Sequence, residues 1–232
     1  MENTTMENTR TKTTRNSLIL LLTAAIWGMA FVSQSKGMDY MHPFTFNGVR
    51  SLIGAASILV YILISRKIAG DKAAPLDWKL NVKAGLLCGI FLTIASTLQQ
   101  FGIKYTSVGK AGFITTLYII FVPMFGIFLK KKVAPVVWAA AVMAAVGMYL
   151  LCMTESLRLG AGDIMVFLCA IAFAIQIMTV DHYAARIDGA VVSCIQFTVC
   201  GVVCCIGALI WGQPTLGQLQ EGLGALLYAG VL

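Results

Sequence analysis

Apolar runs without a charged residue recur along the whole chain, separated by short polar or basic stretches. They cover residues 16–35, 51–65, 84–103, 111–129, 133–154, 164–180 and 189–220. A helix needs about 20 predominantly apolar residues to cross the hydrocarbon core of a bilayer. The second run reaches this length if it begins at Phe44, and the last run is too long for one helix and is broken at Gln213 and Pro214. The pattern predicts seven complete membrane-spanning helices and the beginning of an eighth.

The amino-acid composition agrees with this pattern. Hydrophobic residues make up 59% of the chain and charged residues 12%, whereas soluble domains carry about 25% charged residues. The first apolar run is longer than the core of about 7–15 residues found in a secretory signal peptide, and further runs follow it at once. We therefore predict an all-α polytopic membrane protein that is surrounded by lipid and begins with a polar cytoplasmic tail at residues 1–16.

Basic residues in the loops predict the orientation of the helices. With the N-terminus in the cytoplasm, 12 of the 17 Lys and Arg residues lie on the inner side and four on the outer side, while Arg50 lies within a helix. Inner loops of membrane proteins carry an excess of Lys and Arg. The net charge of +7 is therefore explained by topology, and no nucleic-acid partner is predicted.

Motifs of common enzymes are missing from the sequence. It has no H-E-x-x-H, no G-x-S-x-G and no phosphate-binding G-x-x-x-x-G-K-[ST]. His42 and His182 are predicted on opposite sides of the membrane, so they cannot share a metal. The seven cysteines lie in apolar runs without C-x-x-C spacing and are expected to behave as small hydrophobic residues. The sequence predicts no enzyme activity, no metal and no cofactor.

Several polar residues fall within the predicted helices, where a polar group is costly unless it faces a partner helix or a water-filled cavity. They are Gln99, Gln100, Thr115, Thr116, Gln176 and Gln196. Each of them either hydrogen-bonds between helices, typically worth about 0.6 kcal/mol, or contacts a solute. Arg50 and Lys110 lie near the outer ends of helices and either snorkel to the interface or attract an anionic group at an outer mouth.

Pro123 lies in the middle of the fourth apolar run. Proline removes a backbone donor and clashes with the preceding turn, so a kink is predicted near this residue. Such an interruption either serves packing alone or borders a cavity that water reaches.

Comparison of the chain with itself at an offset of 146 residues indicates an internal duplication. Trp27 then aligns with Phe173, and Arg50 aligns with Gln196. Both windows contain a span, a short loop and a second span, although identical residues are few. Five helices separate the two starts, and an odd number of helices per unit inverts the second copy in the membrane.

Three stretches resemble one known family. WGMAFVSQSKGMDYMHPFTFNGVR (27–50) is similar to the opening of the EamA family of the drug/metabolite transporter superfamily. In that family a Trp-small pair in helix 1 leads through a short loop with a Pro to an Arg in helix 2. QQFGIKYTSVGKAGFITTLYIIFVPMFG (99–126) resembles the helix 3 to helix 4 region, and GDIMVFLCAIAFAIQI (162–177) resembles the start of the second repeat. The match covers roughly residues 17 to 232.

The resemblance implies a ten-helix transporter fold of two inverted five-helix repeats, of which about eight helices are present. Residues 17–154 would form the first repeat with helices 1–5, and residues 161–232 an incomplete second repeat with helices 6–8. A second repeat as long as the first would extend the chain to about residue 300. The sequence is therefore expected to be C-terminally truncated relative to the family.

The function implied by the resemblance is secondary transport, without ATP, of small metabolites by alternating access. We expect an exporter of amino acids or related compounds in a bacterial plasma membrane, acting as a monomer or homodimer. The alternatives are a membrane scaffold or sensor subunit that does not transport, or an inactive fragment of a transporter.

The predicted substrate cavity combines an aromatic wall with hydrogen-bonding side chains. Its predicted residues are Trp27, Gln99, Gln100, Thr115, Tyr118 and Gln176, with Arg50 and Lys110 at the outer mouth and Pro123 at the helix kink. Trp27 and Tyr118 could instead pack at an interface, with the polar atom at the tip of each side chain forming a hydrogen bond.

Overall fold

A computed structural model describes residues 2–70, 76–128, 134–152 and 160–231. Ten α-helices lie in these ranges, and no strand does. They are α1 Glu2–Tyr40, α2 Pro43–Ala69, α3 Trp78–Tyr105, α4 Val108–Thr116, α5 Tyr118–Phe128, α6 Pro135–Cys152, α7 Ala161–Tyr183, α8 Gly189–Gly207, α9 Leu216–Glu221 and α10 Leu223–Val231. A 3₁₀ turn at Ala184–Arg186 follows α7, and a π turn at Ala208–Gly212 follows α8.

Six helical segments of the described chain are long and apolar enough to cross a membrane. They are Asn16–Tyr40, Pro43–Ala69, Trp78–Tyr105, Val108–Phe128, Ala161–Arg186 and Gly189–Gly212. The predicted fifth helix corresponds to α6, whose apolar stretch Pro135–Gly147 is shorter, and the predicted eighth corresponds to α9 and α10. The prediction of an all-α polytopic membrane protein is confirmed. The predicted repeat ends at residues 154 and 232 lie outside the described residues.

Close approaches between α2 and α8 show that these helices run antiparallel. A methyl group on Gly48 would lie 2.9 Å from the backbone nitrogen of Cys205, near the end of α8. Cys194, eleven residues before Cys205 on α8, places its Sγ 3.5 Å from the carbonyl oxygen of Ala55, which is seven residues after Gly48 on α2. The two helices therefore pack antiparallel along their length, as expected for the second helices of two inverted units.

The third helix, α3, packs against both α7 and α8 of the second half. Gly102 of α3 lies against Val166 of α7, while Gly85 and Gly89 lie against Ile195 and Val199 of α8. Glycine at these positions removes the Cβ atom and lets the helix backbones approach closely. The G-x-x-x-G spacing of Gly85 and Gly89 is thus used in the contact between the two halves.

The helix pairings follow an approximate twofold relationship. In this relationship α1, α2 and α10 correspond to α7, α8 and α3. Accordingly, α3 contacts α7 and α8 as α10 contacts α1 and α2, and the equivalent helices α2 and α8 contact each other at the twofold axis. Residues 146 positions apart also cap the equivalent helices: His42 Nδ1 accepts a hydrogen bond from the Phe44 N–H at 3.4 Å. Asp188 likewise accepts from the Ala190 N–H at 3.0 Å. The offset found in the sequence therefore corresponds to a structural repeat, and the inverted-repeat fold is confirmed.

The fourth predicted span is interrupted at Leu117, between α4 and α5. The Leu117 N–H donates to the Ile114 carbonyl at 3.2 Å, and the N–H groups of Ile120 and Phe121 donate to the Leu117 carbonyl at 2.9 and 3.1 Å. Pro123 lies inside α5, six residues beyond this interruption. Proline removes a bond to the preceding turn and crowds it, so a kink near Pro123 within α5 stays a prediction.

Candidate functional site

A cavity of about 400 Å³ lies where the two halves meet. This volume falls in the range of about 300–1,000 Å³ that is usual for small-molecule sites. Its lining comes from α1, α2, α3 and α4 of the first half and from α7, α8 and α10 of the second. The lining residues are Ile26, Trp27, Ala30, Phe31, Gln34, Arg50, Ser51, Gly54, Ser57, Ile58, Leu92, Ser96, Gln99, Thr115, Phe173, Phe197, Ala229, Gly230 and Val231.

Helical spacing brings the lining residues of α1 and α2 to one face each. On α1, Trp27, Phe31 and Gln34 are separated by four and three residues, so they lie along one side of the helix. On α2, Arg50 and Ser57 are seven residues apart and share a face in the same way. The cavity therefore has aromatic and polar groups distributed along two neighbouring helices.

The aromatic wall contains both members of the pair that the sequence offset aligns. Trp27 lines the cavity from α1 and Phe173 lines it from α7. Tyr118 lies behind this wall, with its ring centroid 6.3 Å from that of Trp27 in an edge-to-face arrangement. Tyr118 supports the Trp27 ring and does not itself belong to the lining.

The predicted polar pair of α3 and α4 lies in the cavity wall. Gln99 Nε2 donates a hydrogen bond to Thr115 Oγ1 at 3.2 Å, and both residues belong to the lining. This bond joins the third helix to the interrupted fourth helix and leaves the Gln99 carbonyl oxygen as an acceptor. Gln99 and Thr115 are the predicted amide and hydroxyl groups that the structure brings together at the cavity.

Two other predicted residues lie away from the lining and bond within the helix bundle. Gln100 is fully buried and donates from Nε2 to the Gln34 backbone carbonyl at 3.2 Å, which links α3 to α1. Gln176 Nε2 donates to Gln196 Oε1 at 3.0 Å, which links α7 to α8. Gln100 and Gln176 thus form hydrogen bonds between helices, which was the alternative to contact with a solute at these positions.

Arg50 lies in the cavity wall, about two turns inside the start of α2. Its Nε donates to Asn47 Oδ1 at 2.9 Å, and its guanidinium carbon lies 5.9 Å from the centre of the Phe46 ring. The Asn47 amide is held in turn by a 3.0 Å hydrogen bond to Ser96 Oγ. Arg50 is the only charged residue among the lining residues, so the described cavity carries a single formal positive charge.

Lys110 is placed at the start of α4, outside the lining. Its Nζ lies 4.0 Å from Asp163 Oδ2. Asp163 is buried and also accepts hydrogen bonds from Thr106 Oγ1 and from the Gly160 N–H, the latter at 2.9 Å. This carboxylate therefore joins the turn between α3 and α4 to the beginning of α7, which starts the second half.

We expect the substitution Asp163→Asn to destabilise the protein by about 2 kcal/mol. The carboxylate interacts with three donor groups, and the substitution removes its negative charge and one of its two acceptor oxygens. The measurement is the thermal unfolding midpoint of the purified protein in detergent. Asp39→Asn, at an exposed position of α1, is the matched control and should leave the midpoint unchanged. Equal midpoints for the two variants would contradict the role given to Asp163.

Several cavity residues were not predicted from the sequence, notably Gln34, Ser51, Ser57 and Ser96. Ser57 forms a local bond, with its Oγ donating to the Ile53 carbonyl at 2.9 Å. The spacing of Arg50, Ser51 and Ser57 on α2 was the available signal, because it forms a polar stripe on an otherwise apolar helix.

Behind Ser51 and Ser96, two cysteines fill the junction of α2, α3 and α8. Cys200 Sγ lies 3.5 Å from Ser51 Oγ and 3.3 Å from Ser96 Oγ, and Cys204 Sγ accepts from Asn47 Nδ2 at 3.4 Å. Both thiols are buried. Among the described residues, no group of three or more His, Cys, Asp or Glu side chains could hold a metal ion.

Comparisons with known proteins agree with the geometry. The model of the EamA-like transporter family matches residues 15–153. A protein of Archaeoglobus fulgidus named as an uncharacterized transporter is 31% identical over an alignment of 171 residues that covers 71% of this chain and 48% of that protein. The chain thus spans about half the length of this relative. A solved crystal structure, described only as that of a protein, matches with a TM-score of 0.57 at 17% identity and covers 89% of this chain and 78% of its own; this likeness concerns the fold alone.

Proposed function

The chain belongs to the EamA-like transporter family, and from this membership we propose that it acts as a secondary transporter that exports amino acids or related small compounds. One observation carries the proposal: the 400 Å³ cavity lies between the two inverted halves and is lined by aromatic side chains from both and by polar side chains from the first. Substrate sites of transporters built from inverted repeats lie at such repeat interfaces.

The proposed transport cycle follows from this position of the cavity. The two halves rock against each other around the site and expose it to each side of the membrane in turn. Trp27 and Phe173 provide apolar walls for the solute, while Gln99 and Thr115 provide hydrogen-bonding groups. The interruption of the fourth span at Leu117 lies two residues after Thr115 and gives this part of the wall a place to bend.

The setting of the protein is part of the proposal. We place it in a bacterial plasma membrane with the N-terminus in the cytoplasm, because the inner loops would then hold most of the basic residues. It would act as a monomer or homodimer, and an ion gradient or the gradient of the solute would drive transport.

A second candidate function is a membrane scaffold or sensor subunit. The observation that favours it is the pairing of Gln176 with Gln196, together with the burial of Gln100 against α1. These polar groups stabilise contacts between helices and need no solute. A scaffold would require no water-filled path through the cavity, which separates it experimentally from a carrier.

The test of the proposed function is transport by the full-length protein reconstituted into lipid vesicles. The vesicles are loaded with single compounds from a panel of amino acids, nucleosides, organic acids and cationic drugs, and release is followed against protein-free vesicles. Saturable release of an amino acid or a related compound is the expected result. Failure to move any compound of the panel would favour the scaffold.

A further inference from the structure

The proposed function leaves open which chemical class of solute the cavity prefers. We propose that Arg50 binds the carboxylate of the substrate and that the site selects small monoanionic carboxylates carrying an apolar group over zwitterions and cations. This inference rests on the proposed function and narrows it, since among amino acids and related compounds it favours the related acids that carry no ammonium group.

The guanidinium group of Arg50 is held on one side and open on the other. Its Nε is occupied by the 2.9 Å bond to Asn47 Oδ1, and one of its faces lies beside the Phe46 ring. The two terminal nitrogens make no hydrogen bond to any other described residue, and neither is among the fully buried atoms without a partner. The free edge of the fork is therefore the edge that can form two parallel bonds with a carboxylate.

Asn47 fixes this orientation of the guanidinium group before a solute binds. Asn47 is fully buried, and its Nδ2 donates both to Ser96 Oγ at 3.0 Å and to Cys204 Sγ at 3.4 Å. The amide orientation is thereby set, and its oxygen points to Arg50. A guanidinium held from behind in this way loses little conformational freedom when it binds an anion, which favours affinity.

The charge of the cavity lining is not balanced within the lining itself. Among the residues lining the cavity, Arg50 carries the only formal charge, and no Asp or Glu belongs to that set. A charge withdrawn from water is costly unless a partner neutralises it. A carboxylate supplies one negative charge and makes the complex neutral, whereas a zwitterion leaves its ammonium group in a cavity that offers it only neutral acceptors.

Aromatic residues of the cavity would contact the remainder of the solute. Trp27, Phe31, Phe173 and Phe197 line the same cavity and provide apolar surface for an aryl or alkyl group. A phosphate dianion would bring two charges to one guanidinium and is less well matched. The structure thus assigns an acid with an apolar body, such as a deaminated relative of an apolar amino acid.

The test uses three ligands that share a phenyl group on a two-carbon chain and differ in charge: 3-phenylpropionate, phenylalanine and phenethylamine. Their dissociation constants are measured with the full-length protein in lipid nanodiscs. We expect the order of affinity to be the anion first, then the zwitterion, then the cation. Arg50→Gln should lower the affinity ratio of 3-phenylpropionate to phenethylamine by roughly 10- to 100-fold, the effect of losing hydrogen bonds to a charged group.

Two further variants make the result specific. Arg66→Gln changes the same residue type on the same helix, outside the cavity lining and in a half-buried pair with Asp188 at 3.8 Å, and should leave the ratio within about twofold. Arg50→Lys keeps the charge and loses the fork, so it should retain the preference for the anion at reduced affinity. The order of affinities in the unmodified protein and in Arg50→Lys decides the question even if Arg50→Gln fails to fold.

The inference is overturned if the unmodified protein binds phenylalanine or phenethylamine as tightly as 3-phenylpropionate, or if Arg50→Gln weakens all three equally. In either case binding of a solute still supports a carrier. If the unmodified protein neither binds nor moves any compound of the wider panel, the proposed function fails, and this inference fails with it.

Discussion

The substitution Ala30→Trp should reduce transport at least about tenfold while the protein still folds. Ala30 lies on α1 between Trp27 and Phe31, and all three residues line the cavity. An indole group at this position would occupy the space available to a solute, since aromatic side chains bury a large area when they fill a pocket. The expected loss corresponds to about 1.4 kcal/mol or more of binding free energy, measured as solute release from vesicles.

The control for this prediction is Ala25→Trp on the same helix. Ala25 is exposed and does not belong to the cavity lining, so the added indole would face the surroundings of the bundle. Both variants should elute as monodisperse protein with similar thermal midpoints. If transport survives Ala30→Trp, or if Ala25→Trp reduces it to the same extent, solutes do not pass through this cavity.

The second large effect is expected from Gly48→Ala, the addition of one methyl group to α2. The new Cβ would lie 2.8 Å from Cys205 Sγ and 2.9 Å from the Cys205 backbone nitrogen. A side chain can rotate away, but the backbone of α8 cannot move without separating the two halves of the protein. Overpacking typically costs 1–3 kcal/mol, and we expect this contact with backbone to cost about 3 kcal/mol.

The measurement is the yield of folded protein and its thermal midpoint in detergent. Gly28→Ala and Gly112→Ala are suitable controls, because a methyl group at either position meets no atom within 4 Å. These controls should be neutral or slightly stabilising, since alanine is the better helix former. A midpoint for Gly48→Ala that equals those of the controls would show that the contact between α2 and α8 tolerates separation.

The helices and their inverted arrangement were predictable because lipid imposes simple rules on a sequence. Each span must be long and apolar, so the runs along the chain mark the helices directly. The offset that aligns Trp27 with Phe173 could be found from the pattern of spans, and both residues reach the cavity. The helix caps His42 and Asp188 follow the same offset, although their letters differ.

The site was harder to predict because the identity of a polar residue does not reveal the direction in which its side chain points. Gln99 and Gln100 are neighbours in the sequence, yet they point about 100° apart on a helix. Gln99 therefore faces the cavity and Thr115, while Gln100 faces the backbone of α1. The direction of each glutamine side chain relative to the neighbouring helices decides its role, and only the packed structure shows this direction.

Arg50 and Lys110 show the same difficulty for charged residues. Both lie near the predicted outer ends of helices, but α2 turns Arg50 toward the cavity, whereas Lys110 meets the buried carboxylate of Asp163. The partner of Lys110 is 53 residues further along the chain, so no local pattern could have indicated it. In the fourth span, the interruption between α4 and α5 lies at Leu117, whereas Pro123, the residue that the sequence singled out, lies inside α5.

The central claim is that the space between the inverted halves is a water-filled path for a solute. The most direct measurement is the reaction of Ser57→Cys with a charged thiol reagent that cannot cross the membrane. Ser57 lines the cavity from α2, and a thiol reacts as the thiolate, which requires water. Thr198→Cys, on an exposed face of α8 outside the lining, should be surrounded by lipid and stay unreacted. The unmodified protein, whose Cys194 and Cys205 are half-buried, gives the background labelling that is subtracted from both variants.

We predict that Ser57→Cys is labelled in the folded protein in vesicles and that a transported solute at saturating concentration protects it. Labelling of Ser57→Cys no faster than of Thr198→Cys, from either side of the membrane and with or without solute, would contradict the account and leave the cavity as a sealed packing defect between helices.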